Sequence, residues 1–168
     1  DLPEFDEAEK GVQERIDRLM AIKGSRSVDS IHKELGHIMW EFVGMGRTEA
    51  SLREAIRKIE ALEKVFYSDL RIPGDADSLN VELEKALRLE DFLEIGKLMA
   101  YDGLNREESC GGHFREEYQT PEGEALRRDD LFSYVACWKY EGQGKEPELI
   151  REPLDYEYIK VQTRNYKN

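Results

Sequence analysis

The sequence predicts a mainly α protein: an antiparallel helical bundle of three to four helices, followed by an irregular tail with a small β-ribbon. Three observations predict it. Apolar residues recur at three- and four-residue spacing between residues 6 and about 106. Gly24, Gly44, Gly46 and the Pro73-Gly74 pair cut that stretch into helix-sized pieces. Beyond it, residues 107–168 are rich in Gly, Pro and Tyr and lose the period. The expected division is therefore 1–106 for the bundle and 107–168 for a loop and tail.

The first helix is expected from about Asp6 to Lys23, with Val12, Ile16, Leu19 and Met20 on one face and Gly24 as its stop. The second is expected over Ser27 to Val43, with Ser27 as N-cap and a stripe of Val28, Ile31, Leu35, Ile38, Met39 and Phe42. The third begins at Thr48, a second N-cap candidate, and carries Leu52, Ala55, Ile56, Ile59, Leu62, Val65 and Phe66 until Pro73-Gly74 ends it. The fourth runs from Asp77 or Ser78 to Asn105. Between Ala86 and Ala100 it is apolar almost all round, which marks a helix packed by several neighbours. The expected core comprises Ile31, Leu35, Ile38, Phe42, Ile56, Ile59, Leu62, Leu93 and Met99.

In the tail, Leu131 to Tyr140 and Tyr156 to Val161 are β-compatible runs separated by turn signals, including Gly142-Gln143-Gly144. A two-stranded ribbon is barely stable alone. Tyr134, Trp138, Tyr140, Tyr156 and Tyr158 are many rings for it to bury, so much of the stretch from Leu131 to Tyr166 is expected to pack on another surface.

Charge narrows the function. The chain of 168 residues carries a net charge of −12, with 37% charged residues. Such a field repels phosphate backbones, so a nucleic-acid partner is not expected. No apolar run approaches the about 20 residues needed to span a bilayer, so direct membrane insertion is not expected. The first residues resemble no signal peptide, and two cysteines outside any CxxC pair point to a reducing, cytoplasmic setting. His32 and His37 are five apart, which turns the rings about 140° from each other on a helix, so no metal site is expected. No GxGxxG, GxxxxGK[ST] or GxSxG pattern is present. This chain is therefore expected to hold no catalytic residues and no cofactor.

One segment departs from the helical pattern: Asn105-Arg106-Glu107-Glu108-Ser109-Cys110-Gly111-Gly112-His113-Phe114-Arg115-Glu116-Glu117-Tyr118. Its small residues allow close backbone approach, and His113 and Arg115 are expected as donors on opposite sides of an extended stretch. It reads either as a helix-capping turn satisfied within the chain or as a docking surface.

The segment resembles the Arg-x-Glu-Ser-Arg-Gly-x-His-x-Arg-x-Asp-Tyr signature in the C-terminal domain of succinate dehydrogenase and fumarate reductase flavoproteins. Arg106, Glu108, Ser109, Gly111, His113, Arg115 and Tyr118 match, whereas Cys110 replaces the usual Arg and Glu117 the usual Asp. His37 to Arg47 is similar to the family's Met-Trp-x-x-x-Gly-x-x-Arg passage, and Arg128-Asp129-Asp130 to its Arg-Asp-Asp. The resemblance implies a parent oxidoreductase that interconverts succinate and fumarate with FAD and passes electrons to an iron–sulfur subunit. Its partners would be the N-terminal flavin domain of the same subunit, the iron–sulfur subunit and the membrane anchor. Its place would be peripheral, on the cytoplasmic face of the inner membrane. This chain would supply a docking domain, with Arg106, Glu108, Ser109, Cys110, Gly111, Gly112, His113, Arg115 and Tyr118 as the interface. If the family's Arg pairs with a flavin-domain carboxylate, Cys110 lacks the charge and the fork to do so. The alternatives are an L-aspartate oxidase-like flavoprotein and a freestanding helical adaptor.

Overall fold

A computed structural model describes residues 2–142 and 144–162. Two compact units emerge: the chain up to Glu41 with Ile56–Lys97, and Phe42–Ala55 with the chain from Leu98 onward.

The first unit contains α1 (Pro3–Ala21), β1 (Arg26–Ser27), most of α2 (Val28–Phe42), the later part of α3 (Glu49–Asp69), β3 (Leu70–Arg71) and much of α4 (Val81–Asn105). β1 at the start of α2 pairs with β3 at the end of α3, so these helices run antiparallel. Lys97–Glu63 and Tyr67–Glu90 contacts set α3 antiparallel to α4 in the same way. Ile31, Leu35, Ile38, Ile59, Leu62 and Leu93 are buried as the stripes predict, together with Leu19, Phe66 and Leu89. Ser27 Oγ accepts from the Ser30 amide and caps α2.

Several expectations need correction. Ile56 is only half-buried. Val12 is 58% exposed, because α1 buries only Leu19, near its C-terminal end. α4 is not packed all round: Phe92 is 41% and Ile95 52% exposed, and Phe92 stacks against His32. It starts at Val81 rather than Asp77 or Ser78, because the Asn80 side chain accepts from the Leu83 amide and caps it there. α3 stops at Asp69, before Pro73-Gly74, where the chain extends to pair with β1. Gly24 is not a left-handed helix stop. It sits where the chain passes directly over Asp69, donating its N–H to Leu70 O at 3.0 Å.

Two charged clusters finish this unit. Glu90 accepts from Arg15, Arg18 and Tyr67. Lys97, only 5% exposed, lies between Glu63 and Glu94 at 3.5 and 3.2 Å, which outweigh its burial and raise its pKa.

The second unit holds β2 (Gly46–Arg47), the first turns of α3, the last turns of α4, β4 (Phe114–Arg115), α5 (Asp129–Phe132), β5 (Tyr134–Lys139) and β6 (Glu148–Pro153). Thr48 and Ser51 exchange side-chain-to-amide bonds of 3.0 Å and cap α3. Of the expected core, Phe42 is half-buried and Met99 is 49% exposed. β2 pairs in parallel with β4, and β5 with β6 in an antiparallel hairpin. The first ribbon strand lies within the predicted run. The second is Glu148–Pro153, not Tyr156–Val161, because a short connection closes the hairpin before the more apolar run is reached. Gly142 and Gly144 in that connection take positive φ; Gln143 and Tyr166 lie outside the described residues. Tyr134 is buried and Trp138 half-buried, while Tyr140, Tyr156 and Tyr158 are exposed.

Candidate functional site

The site begins with a physical requirement. A helix ends with carbonyls that have no partner inside it and carry the negative end of its dipole. α4 ends at Asn105, and the chain that follows folds back over those carbonyls. Arg115 Nη1 donates to Gly103 O and Leu104 O at 2.9 and 3.1 Å. His113 Nε2 lies 2.9 Å from Arg106 O. Two residues apart on an extended segment, these side chains share a side, and both reach the end of α4. The expectation that they face opposite ways is therefore corrected.

Arg115 is 2% exposed. Its Nε pairs with Glu117 Oε2 at 3.1 Å, and its guanidinium lies over the Tyr118 ring. The other Glu117 oxygen accepts the Glu49 amide at the start of α3. Burial opposes ionisation of Glu117, but that amide and Arg115 prevail and lower its pKa. One carboxylate thus joins the N-terminus of α3 to the arginine that closes α4.

Ser109 is fully buried. Its Oγ accepts the Arg115 amide at 2.8 Å and donates to Arg115 O at 3.0 Å, pinning β4. Glu108, also buried, accepts from Arg106 Nη1 at 2.9 Å and from the Arg128 amide at 2.8 Å. Cys110 and His113 exchange backbone bonds across Gly111 and Gly112. Gly111 takes φ +58°, which a side chain tolerates poorly. The two glycines are exposed and a Cβ added to either would meet nothing within 4 Å.

The predicted interface residues therefore divide. Glu108, Ser109 and Arg115 lie inside, with their polar groups satisfied within the chain. Arg106, Cys110, His113 and Tyr118 are partly covered, and Gly111 and Gly112 form the exposed tip. Cys110 and Cys137 are free thiols. Among the described residues no group of three His, Cys, Asp or Glu is arranged to hold a metal ion.

Sequence reasoning missed Arg47 as a member of this site. Its Nη1 lies 3.1 Å from His113 Nδ1 and its Nε donates to Gly44 O. A guanidinium can only donate, so Nδ1 accepts and Nε2–H donates to Arg106 O: His113 is held as one neutral tautomer. Burial lowers its pKa, and the nearby charges of Arg47, Arg115 and Arg106 lower it further against the pull of the Arg106 carbonyl. The unfolded chain takes up a proton near pH 6.5 and the folded chain only at lower pH. The contribution of His113 is therefore complete above about pH 6.5 and is lost as pH falls through its folded pKa. His113→Gln offers an acceptor and a donor without titrating. In thermal melts from pH 7.5 to 5, its stability should fall less steeply than the wild type's.

The chain is similar to known proteins over most of its length. The family described as fumarate reductase flavoprotein C-term matches residues 32–166. The chain is 30% identical over 145 residues to the fumarate reductase flavoprotein subunit of Haemophilus influenzae, covering 86% of this chain and 23% of that protein. It is 25% identical over 162 residues to the succinate dehydrogenase flavoprotein subunit of Bacillus subtilis, covering 96% and 26%. Among solved structures, an Escherichia coli quinol fumarate reductase chain superposes with a TM-score of 0.81 over 94% of this chain and 26% of its own length, at 23% identity, a likeness of fold. The chain thus spans about a quarter of the length of these relatives. It belongs to the fumarate reductase/succinate dehydrogenase flavoprotein C-terminal family.

Proposed function

We propose that this chain serves as the docking domain of a fumarate reductase or succinate dehydrogenase flavoprotein subunit. The parent protein interconverts succinate and fumarate with FAD and passes electrons to an iron–sulfur subunit. A membrane anchor holds the complex at the cytoplasmic face of the inner membrane. No described helix of this chain is long and apolar enough to cross that membrane. The exposed tip of the signature loop packs against the flavin domain, presenting Cys110, Gly111, Gly112 and part of His113. The named relatives favour this reading over an L-aspartate oxidase or a free adaptor.

The observation that carries it is the construction of the signature loop. Its buried polar residues hold the end of α4 rigid, while a tip without side chains is left exposed. A rigid support below and bare backbone above suit close approach of a second surface.

FAD does not fit the residues present. A dinucleotide needs a glycine-rich turn opening a helix whose N-terminus receives its phosphates. Here the starts of α2, α3 and α4 are occupied by Ser27, by Thr48 with Glu117, and by Asn80. On this reading the flavin is held by the part of the parent outside this chain.

Gly112→Trp tests the proposal. In the 168-residue chain it should shift the melting temperature by no more than about 2 °C, since the added side chain meets open space. In the parent subunit it should lower viologen-driven fumarate reduction about tenfold or more. Unchanged activity in the variant parent would sink the docking role. A wild-type parent that fails to reduce fumarate would sink the assigned reaction.

A further inference from the structure

Arg47 differs from the other shielded arginines. Arg15 has Glu90 and Asp91, Arg26 has Glu34, Arg106 has Glu108, Arg115 has Glu117 and Arg127 has Asp129. Among the described residues no carboxylate lies within ion-pair distance of Arg47, although it is partly buried. Asp102 acts on it only from farther away and accepts instead from Trp138 Nε1 at 2.9 Å. Glu116 turns its Oε1 toward Gly46. The lack is not one of supply, because the chain has 37 acidic residues against 25 basic ones.

The surroundings make the omission costly. Arg115 follows on the paired strand, at the position opposite Arg47 in the register, and its charge disfavours a second guanidinium beside it. His113 offers only a neutral lone pair. A planar guanidinium has five donors, and among the described residues this one uses two, at Gly44 O and His113 Nδ1. The unused donors match a carboxylate fork, the partner that guanidinium binds best.

We propose that Arg47 is the docking residue for a carboxylate side chain on the flavin domain of the parent subunit. The inference rests on the reading of the chain as a docking domain and names one contact within it. His113 acts as a positioning residue: its Nδ1 holds one edge of the Arg47 fork and leaves the remaining donors to the incoming carboxylate.

Arg47→Met and Arg47→Lys, made in the 168-residue chain and in the full parent subunit, test this. Arg47→Met should leave the melting temperature of the isolated chain within about 2 °C, because relief of repulsion with Arg115 offsets the lost bonds. In the parent, hydrogen exchange at residues 44–47 and 110–114 should be slower than in the isolated chain. Arg47→Met should raise exchange there by about tenfold or more, and Arg47→Lys should recover only part of the protection. A fall of more than about 5 °C in the isolated chain would assign Arg47 to internal structure and overturn the proposal. Equal protection in the wild-type and Arg47→Met parents would also overturn it, leaving the docking domain intact. No added protection in the wild-type parent would remove the docking reading itself.

Discussion

Arg115→Met should cost the 168-residue chain about 2–5 kcal/mol, from two helix-end carbonyls that lose their donor at about 1–3 kcal/mol each. The side chain is 2% exposed, so water does not replace it. Its loss leaves Gly103 O and Leu104 O without their donor and Glu117 without its counter-charge. Urea unfolding followed by far-ultraviolet circular dichroism measures the effect. Arg115→Lys should recover less than half of it, because an ammonium does not span two carbonyls and a carboxylate at once. A loss under about 1 kcal/mol for Arg115→Met would mean that water reaches the end of α4.

Gly24→Ala should be nearly as damaging, at about 3 kcal/mol or more, which is the upper range for overpacking. A Cβ at position 24 would stand well inside 3.0 Å of the Asp69 carbonyl carbon and oxygen, closer than real Cβ atoms come to anything. Both are backbone atoms, so no rotamer change relieves the clash. The approach is held by the Gly24 N–H bond to Leu70 O and by Ser25, whose amide and hydroxyl donate to Asp69. Gly36→Ala is the control, since its Cβ would meet nothing within 4 Å and would favour α2. Thermal melts of the two variants should separate clearly, with Gly24→Ala far below the wild type and Gly36→Ala at or above it.

These two residues show what the sequence made legible. Apolar spacing identified the buried faces of α2 and α3, because burial at Ile31, Leu35, Ile59 and Leu62 follows directly from helical period. The same rule misplaced Met99 and misjudged Phe92 and Ile95, because period says which face is apolar but not whether anything covers it. The commonest role of a glycine after a helix is to stop it, and that role does not describe Gly24. Its actual constraint comes from Asp69, a residue far along the chain that no local pattern announces. The signature segment stands out by its residue types. Its interior, with Ser109 bonding Arg115 and Glu117 bonding Glu49, depends on the return of the chain and had no local trace. Arg47 could have been noticed as the charged end of the Gly-x-x-Arg passage, although its meeting with His113 is equally non-local.

The bond from the Glu49 amide to Glu117 joins positions 68 residues apart. During synthesis at about 5–20 residues per second, roughly 3–14 s separate the emergence of the two. For that interval α3 has only Thr48 and Ser51 at its start, and the second unit, assembled from two stretches of chain, cannot close. Loop closure over such a separation is entropically costly before any contact rewards it. The signature segment is thus a late event in folding, and variants within it should chiefly accelerate unfolding while leaving the refolding rate close to that of the wild type.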